Sequence, residues 1–152
     1  MHVVSKSWTV FGVDFIVMAC NTIHLFRKVL QKQVNASILD LQAAIGKKIK
    51  EKTLVLGSPI ACKRLYNFPN TIIPSDSELK ELGTAIFLFN KGVKKEEQKE
   101  KVLKICKNHD FNAILLGCTE IALMLKGYQN TIDSIDVLAE LIVEKLSNKK
   151  YR

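Results

Sequence analysis

Four cysteines stand at positions 20, 62, 106 and 118, and two of them share a context. Cys20 follows the apolar run Phe15-Ile16-Val17 in "FIVMACNTIH". Cys118 follows Ala113-Ile114 in "AILLGCTEI". Each stretch reads as a strand that ends in cysteine and short polar residues, then a helix. Open α/β sheets build their sites outside the carboxyl ends of the strands, so both thiols are expected at such a site. Backbone N–H groups at a helix start favour a thiolate, which can act as a base. Asn21, Thr22, Thr119 and Glu120 add polar side chains beside the pair. Cys62 and Cys106 fall within helical patterns and read as core fillers.

The elements that must position these residues alternate along the chain. "DFIVMA" (14–19) is a short apolar run, as in a buried parallel strand. From Asn21 to about Gln33, Ile23, Phe26, Val29 and Leu30 recur at helical spacing. Asp40 can cap a helix with the stripe Leu41, Ala44, Ile45 and Ile49. "TLVLG" is a strand, and Ser58 and Pro59 open the helix after it. "NTIIP" is a short strand. The helix from about Ser75 to Gly92, capped by Ser75 or Ser77, places Leu79, Leu82, Ile86 and Phe89 on one face. A charged helix, the strand "AILLG", the short helix "EIALML", the piece "TIDS" and an amphipathic helix complete the chain. Such alternation predicts an α/β fold with parallel strands.

Composition narrows the function. The chain has 152 residues, enough for one domain with a real core, and 47% of them are hydrophobic. Net charge is +8, from 23 basic and 15 acidic residues. Acids interleave with the lysines in "KGVKKEEQKEK", and no aromatic platform accompanies them. This reads as a solvated helix face, not a nucleic-acid surface. No apolar run reaches the roughly 18 residues of a membrane span. The start lacks the layout of a signal peptide, so a cytoplasmic protein with free thiols is expected. Cysteines without CxxC spacing, and His2, His24 and His109 scattered in sequence, count against a metal or redox centre.

The two cysteine stretches resemble the two signatures of the cofactor-independent aspartate/glutamate racemase family. They lie 118 − 20 = 98 residues apart, near the family's spacing though somewhat short. "IDSIDVLAEL" (132–141) is similar to the family's C-terminal region. The resemblance implies a parallel-sheet, three-layer α/β sandwich of the racemase type. It assigns 1–37 plus 116–152 to a remnant of the first domain and 38–115 to the second. It implies that Cys20 and Cys118 are paired acid and base catalysts that move the Cα proton of a small amino acid, aspartate above all. Asn21, Thr22, Ser58, Thr119 and Glu120 would bind the substrate. Glu120, where glutamate racemases carry His, and His24 in "CNTIH" put the chain on the aspartate side. For His24 a structural role and a contact with the site stand equally open. No pyridoxal phosphate or other cofactor, no metal, no nucleic acid and no membrane are implied, and the family's habit suggests a homodimer.

The chain also departs from the family. About twenty residues precede Cys20, where family members carry a strand, a Gly-Gly-Met-like loop and a basic residue that grips a substrate carboxylate. The first domain is therefore expected to be incomplete, with an unpaired edge on the strand at 14–19. Ser58 keeps one hydroxyl of the family's Gly-Thr-x-x-Thr pattern, and Ala61 loses the other. An impaired racemase is the first expectation. The alternative is a catalytically inactive remnant of the same fold that binds a small carboxylate or a partner chain.

Overall fold

Two five-residue strands with every residue buried, Thr53–Gly57 (β3) and Ala113–Gly117 (β5), fix the centre of the fold. Backbone buried on both sides can satisfy its polar groups only by pairing, and these two strands pair in parallel over their whole length. The computed structural model describes residues 12–148. Thr71–Ile72 (β4) adds outside β3, and Thr131–Asp133 (β6) adds outside β5. The sheet order is β4-β3-β5-β6, all parallel. Among the described residues a second sheet holds Phe15–Ile16 (β1) and Ser37–Ile38 (β2), also parallel. The boundary expected between residues 115 and 116 falls inside β5.

Side chains alternate across the main sheet, as the pleat requires. Val55 and Leu115 point into one core, with Leu41 and Ile45 of helix α2 (Leu41–Lys48), Cys62 and Leu65 of α3 (Pro59–Leu65), and Val137 and Leu138 of α7 (Ser134–Ser147). Leu54, Leu56, Ile114 and Leu116 point into the other. There they meet Leu82 and Ala85 of α4 (Asp76–Asn90), Val102 and Ile105 of α5 (Lys95–Lys107), and Ile121 and Met124 of α6 (Thr119–Met124). Helices on both faces of a parallel sheet make the three-layer α/β sandwich. Along α4, Leu79 and Leu82 are buried, and Ile86 and Phe89 pack half-buried against the second core. Among the described residues no helix is long and apolar enough to cross a membrane.

Two expectations for the first segment need correction. The strand expected over 14–19 shrinks to Phe15–Ile16, and its partner among the described residues, Ser37–Ile38, is equally short. The helix expected from Asn21 begins as a 3-10 helix, Asn21–Phe26, and becomes α-helical only over Arg27–Gln31 (α1). Three residues per turn put positions three apart on one face. The inward face is polar, with Asn21 and His24 buried. Ile23, Phe26 and Val29 form the outward face and are 42%, 56% and 58% exposed. Leu30 alone of the expected stripe packs on the small core of Ile16, Met18 and Ile38.

Capping residues stop and start the chain where their chemistry allows. Asp40 accepts the Ala43 N–H at 3.1 Å and forms an ion pair with Arg27. Ser58 caps α3, with Pro59 in the first turn. At the start of α4, Ser75 and Glu78 cap each other's backbone in a reciprocal box. Glu78 also accepts from Asn108 at 3.1 Å and pairs with His109 at 3.1 Å, tying α4 to the end of α5.

This cluster should govern acid stability. Burial alone would raise the Glu78 carboxyl, but hydrogen bonds from Ser75 and Asn108 and the charge of His109 outweigh it and hold it at about 2. A carboxyl depressed in the folded state stabilises the fold above its ordinary value of 4.5, and that contribution fades as pH falls toward 2. Urea midpoints measured from pH 6 to pH 2.5 should fall less steeply below pH 4.5 in Glu78→Gln than in the parent. Ser75→Ala should cost about 1 kcal/mol at neutral pH through the lost cap.

Candidate active site

The strand order reverses direction between β3 and β5. From β3 the chain moves outward to β4, then returns to β5 on the other side and continues to β6. At such a switch point the loops leaving the carboxyl ends diverge and open a crevice. Ser58 leaves β3 and Cys118 leaves β5 on either side of it, after the paired residues Gly57 and Gly117. Ser134 leaves β6 one strand further on. Small polar or thiol side chains therefore stand at three neighbouring strand ends.

The segment after Cys20 is fastened onto these ends. Thr22 Oγ1 and Ser58 Oγ share a hydrogen bond of 2.9 Å. The Asn21 side-chain amide donates to Ser134 Oγ at 2.9 Å. The Tyr66 hydroxyl, from the end of α3, donates to Asn21 Oδ1 at 2.5 Å. Tyr66 is only 1% exposed, and its ring lies against Gly117. A Cβ built on that glycine would come within 2.7 Å of the ring. Burial, and after it the neighbouring Cys62, Cys118 and Cys20, pushes the Tyr66 phenol upward, so it is a proton donor.

Around the second cysteine the groups also meet. The Cys118 thiol donates to Glu120 Oε2 at 2.9 Å, and Thr119 Oγ1 donates to the same oxygen at 2.8 Å. Burial pushes the Cys118 thiol up to about 12, and the hydrogen bond to Glu120 works in the same direction. Burial also opposes the Glu120 charge, but the hydrogen bonds from Cys118 and Thr119 prevail and hold its carboxyl below the ordinary range. The resting pair is thus thiol and carboxylate. The backbone N–H groups of Glu120 and Ile121 at the start of α6 favour the thiolate, as a helix start should, and burial outweighs them.

Both Cys20 and Cys118 occupy the residue just before a helix, and neither side chain caps it. Cys20 is exposed and Cys118 half-buried. The other two thiols lie in the core, where burial pushes Cys62 up to about 12 and Cys106 up to about 11. His24 Nε2 bonds the Met18 carbonyl at 2.9 Å, and burial lowers its pKa. It is a neutral brace beneath the Cys20 segment, and its Nδ1 has no partner among the described residues. No three His, Cys, Asp or Glu side chains among the described residues group as metal ligands.

Of the residues singled out in the sequence, Asn21, Thr22 and Ser58 meet in one cluster, and Cys118, Thr119 and Glu120 in another. Tyr66 joins Asn21 of the first cluster to Gly117, the residue before Cys118. Tyr66 and Ser134 were not singled out. Ser134 had a signal, since "TIDS" is a third strand followed by a small polar residue. Tyr66 had none, because an aromatic late in an apolar helix looks like core.

Comparison with known proteins gives one family. The sequence model of the Asp/Glu/hydantoin racemase family matches residues 6–142. The structure is similar to that of an aspartate racemase homologue from Pyrococcus horikoshii OT3, with a TM-score of 0.70 and 26% identity over 91% of this chain and 69% of that one. Picrophilus torridus aspartate racemase gives 0.70 and 25%, over 92% of this chain and 65% of that one. Glutamate racemase from Francisella tularensis, solved with D-glutamate, shares the fold at 0.65 and 21%, over 95% of this chain and 62% of that one.

The thiol–carboxylate pair predicts an alkylation pattern readable by mass spectrometry of each cysteine peptide. Cys20 should react with iodoacetamide first, and Cys118 should stay slow at pH 8. In Glu120→Gln the carboxylate acceptor is gone, so the onset of Cys118 alkylation should move to lower pH. An unchanged onset would show that Glu120 does not act on the thiol.

Proposed function

We propose that this chain, which belongs to the Asp/Glu/hydantoin racemase family, inverts the α-carbon of a small acidic amino acid, aspartate foremost, by two-base proton transfer between Cys20 and Cys118. The observation that carries this reading is the fastening of the Cys20 segment, through Asn21 and Thr22, onto the strand ends that carry Ser58, Cys118 and Ser134. In this reading that fastening carries the Cys20 thiol toward the crevice beside Cys118.

The chemistry follows from the geometry. Inversion needs a base on one face of Cα and an acid on the other. With Cys20 as thiolate, its sulfur takes the Cα proton, and the electron pair passes into the adjacent carboxylate as an enediolate. Cys118, held as a thiol, returns its own proton to the opposite face. For the other enantiomer the roles reverse. The first transfer leaves Cys118 as thiolate and Cys20 as thiol, the state that takes up the other enantiomer, while in the resting state Glu120 Oε2, at 2.9 Å, holds the Cys118 proton in a hydrogen bond. Asn21, Thr22, Ser58 and Thr119 supply neutral donors for the substrate carboxylates, and Glu120 supplies negative charge for its ammonium. No organic cofactor enters this scheme.

Contacts from the parts of the relatives that this chain does not span are absent from the scheme. Orienting the reacting groups contributes up to roughly 7–11 kcal/mol in favourable cases, so slow turnover is expected. The test is deuterium wash-in at Cα of L- and D-aspartate in D₂O. The 152-residue chain should exchange slowly, and Cys20→Ser or Cys118→Ser should each lower the rate by roughly 10²-fold or more. Exchange that survives in both variants would overturn the two-base reading. Binding of aspartate without any exchange would instead establish the non-catalytic carboxylate binder.

A further inference from the structure

We infer that Tyr66 is the positioning residue that sets the two cysteine segments relative to each other. It touches both. Its hydroxyl donates to Asn21 Oδ1, the residue next to Cys20, at 2.5 Å. Its ring fills the space above Gly117, the residue before Cys118, where a Cβ would meet Cε2 at 2.7 Å and Cζ at 3.2 Å. The Asn21 amide is completed on its other side by Ser134 at 2.9 Å. Asn21 is buried, so its carbonyl oxygen depends on this donor, and a buried acceptor deprived of its donor is driven to find another.

The ring of Tyr66 has little room to move. It is almost fully buried and packs in the core with Cys62, Leu65 and Val55. Cζ carries the hydroxyl and Cε2 is bonded to it, so the same edge of a rigid ring meets both Gly117 and Asn21 and fixes their spacing. Phenylalanine would keep the ring and release Asn21. A larger residue at 117 would keep the hydroxyl and displace the ring. Tyr66 touches neither sulfur in a hydrogen bond, so it acts through Asn21 and Gly117. This deepens the racemase reading, and only the activity arm of its test rests on that reading.

The direct readout is the geometry of the two thiols. Dibromobimane becomes fluorescent when it alkylates two neighbouring thiols, and peptide mapping identifies the bridged pair. The full chain should form a Cys20–Cys118 bridge. Tyr66→Phe should form it at least tenfold more slowly, with the thermal transition still cooperative. Gly117→Ala should slow it as well, by displacing the hydroxyl-bearing edge of the ring. In the activity arm, Tyr66→Phe should lower Cα exchange at least tenfold in the parent and have no further effect in an Asn21→Ala background. A purely packing role would add to the Asn21 loss. Bridging at the parent rate in both Tyr66→Phe and Gly117→Ala would overturn the role of Tyr66 and leave the racemase reading standing. Slowed bridging in a chain that exchanges no Cα proton would uphold Tyr66 and sink the racemase reading. No bridge in the parent would overturn both.

Discussion

At the carboxyl ends of β3 and β5, Gly57 pairs with Gly117, and no side chain fits between them. A Cβ on Gly57 would approach the Gly117 carbonyl oxygen to 3.0 Å, and one on Gly117 would strike the Tyr66 ring. Only with both positions bare can an aromatic ring cover the end of the sheet. That ring then reaches the segment after Cys20, which shares no strand pairing with the main sheet. The two sheets are therefore joined at the crevice by polar side chains: Tyr66 to Asn21, Asn21 to Ser134, and Thr22 to Ser58.

Such a joint is specific because it is buried. Each hydrogen bond adds only about 1 kcal/mol net, whereas an orphaned partner costs about 1–3 kcal/mol. The network is thus a weak glue and a strict template. The same distinction separates the cysteines. Burial pushes Cys62 and Cys118 alike to about 12. Cys62 has backbone groups for company, among them the Val55 carbonyl at 3.9 Å, and no carboxylate beside it. Cys118 has an ionised carboxylate at hydrogen-bond distance, 2.9 Å, which keeps the proton on sulfur and orients it.

Much of this was legible in the chain itself. β3 and β5 are continuous apolar runs, and full burial on both faces leaves no other pattern. Asp40, Ser58 and Ser75 cap the helices that their positions suggested. The strand-cysteine-polar context marked both Cys20 and Cys118. What misled was the stretch after Cys20. Its apolar residues repeat at a spacing that helical reasoning assigns to the interior, yet a 3-10 start turns Asn21 and His24 inward. Local pattern describes a face and does not say which face a neighbour will demand. Tyr66 was illegible for a related reason: its function lies in its hydroxyl's partner 45 residues away.

The bond between Asn21 and Ser134 closes a loop of 113 residues, and this has a bearing on biosynthesis. A ribosome adds residues at roughly 5–20 per second. The segment carrying Cys20 therefore leaves the ribosome roughly 6–23 s before its anchor on β6 has been made. Ser58 and Tyr66 follow their partners Thr22 and Asn21 by 36 and 45 residues, so one side of the arm can be met well before Ser134 exists. The crevice is completed only when the last strand end has been made, and until then the thiol-bearing arm can be held from one side alone.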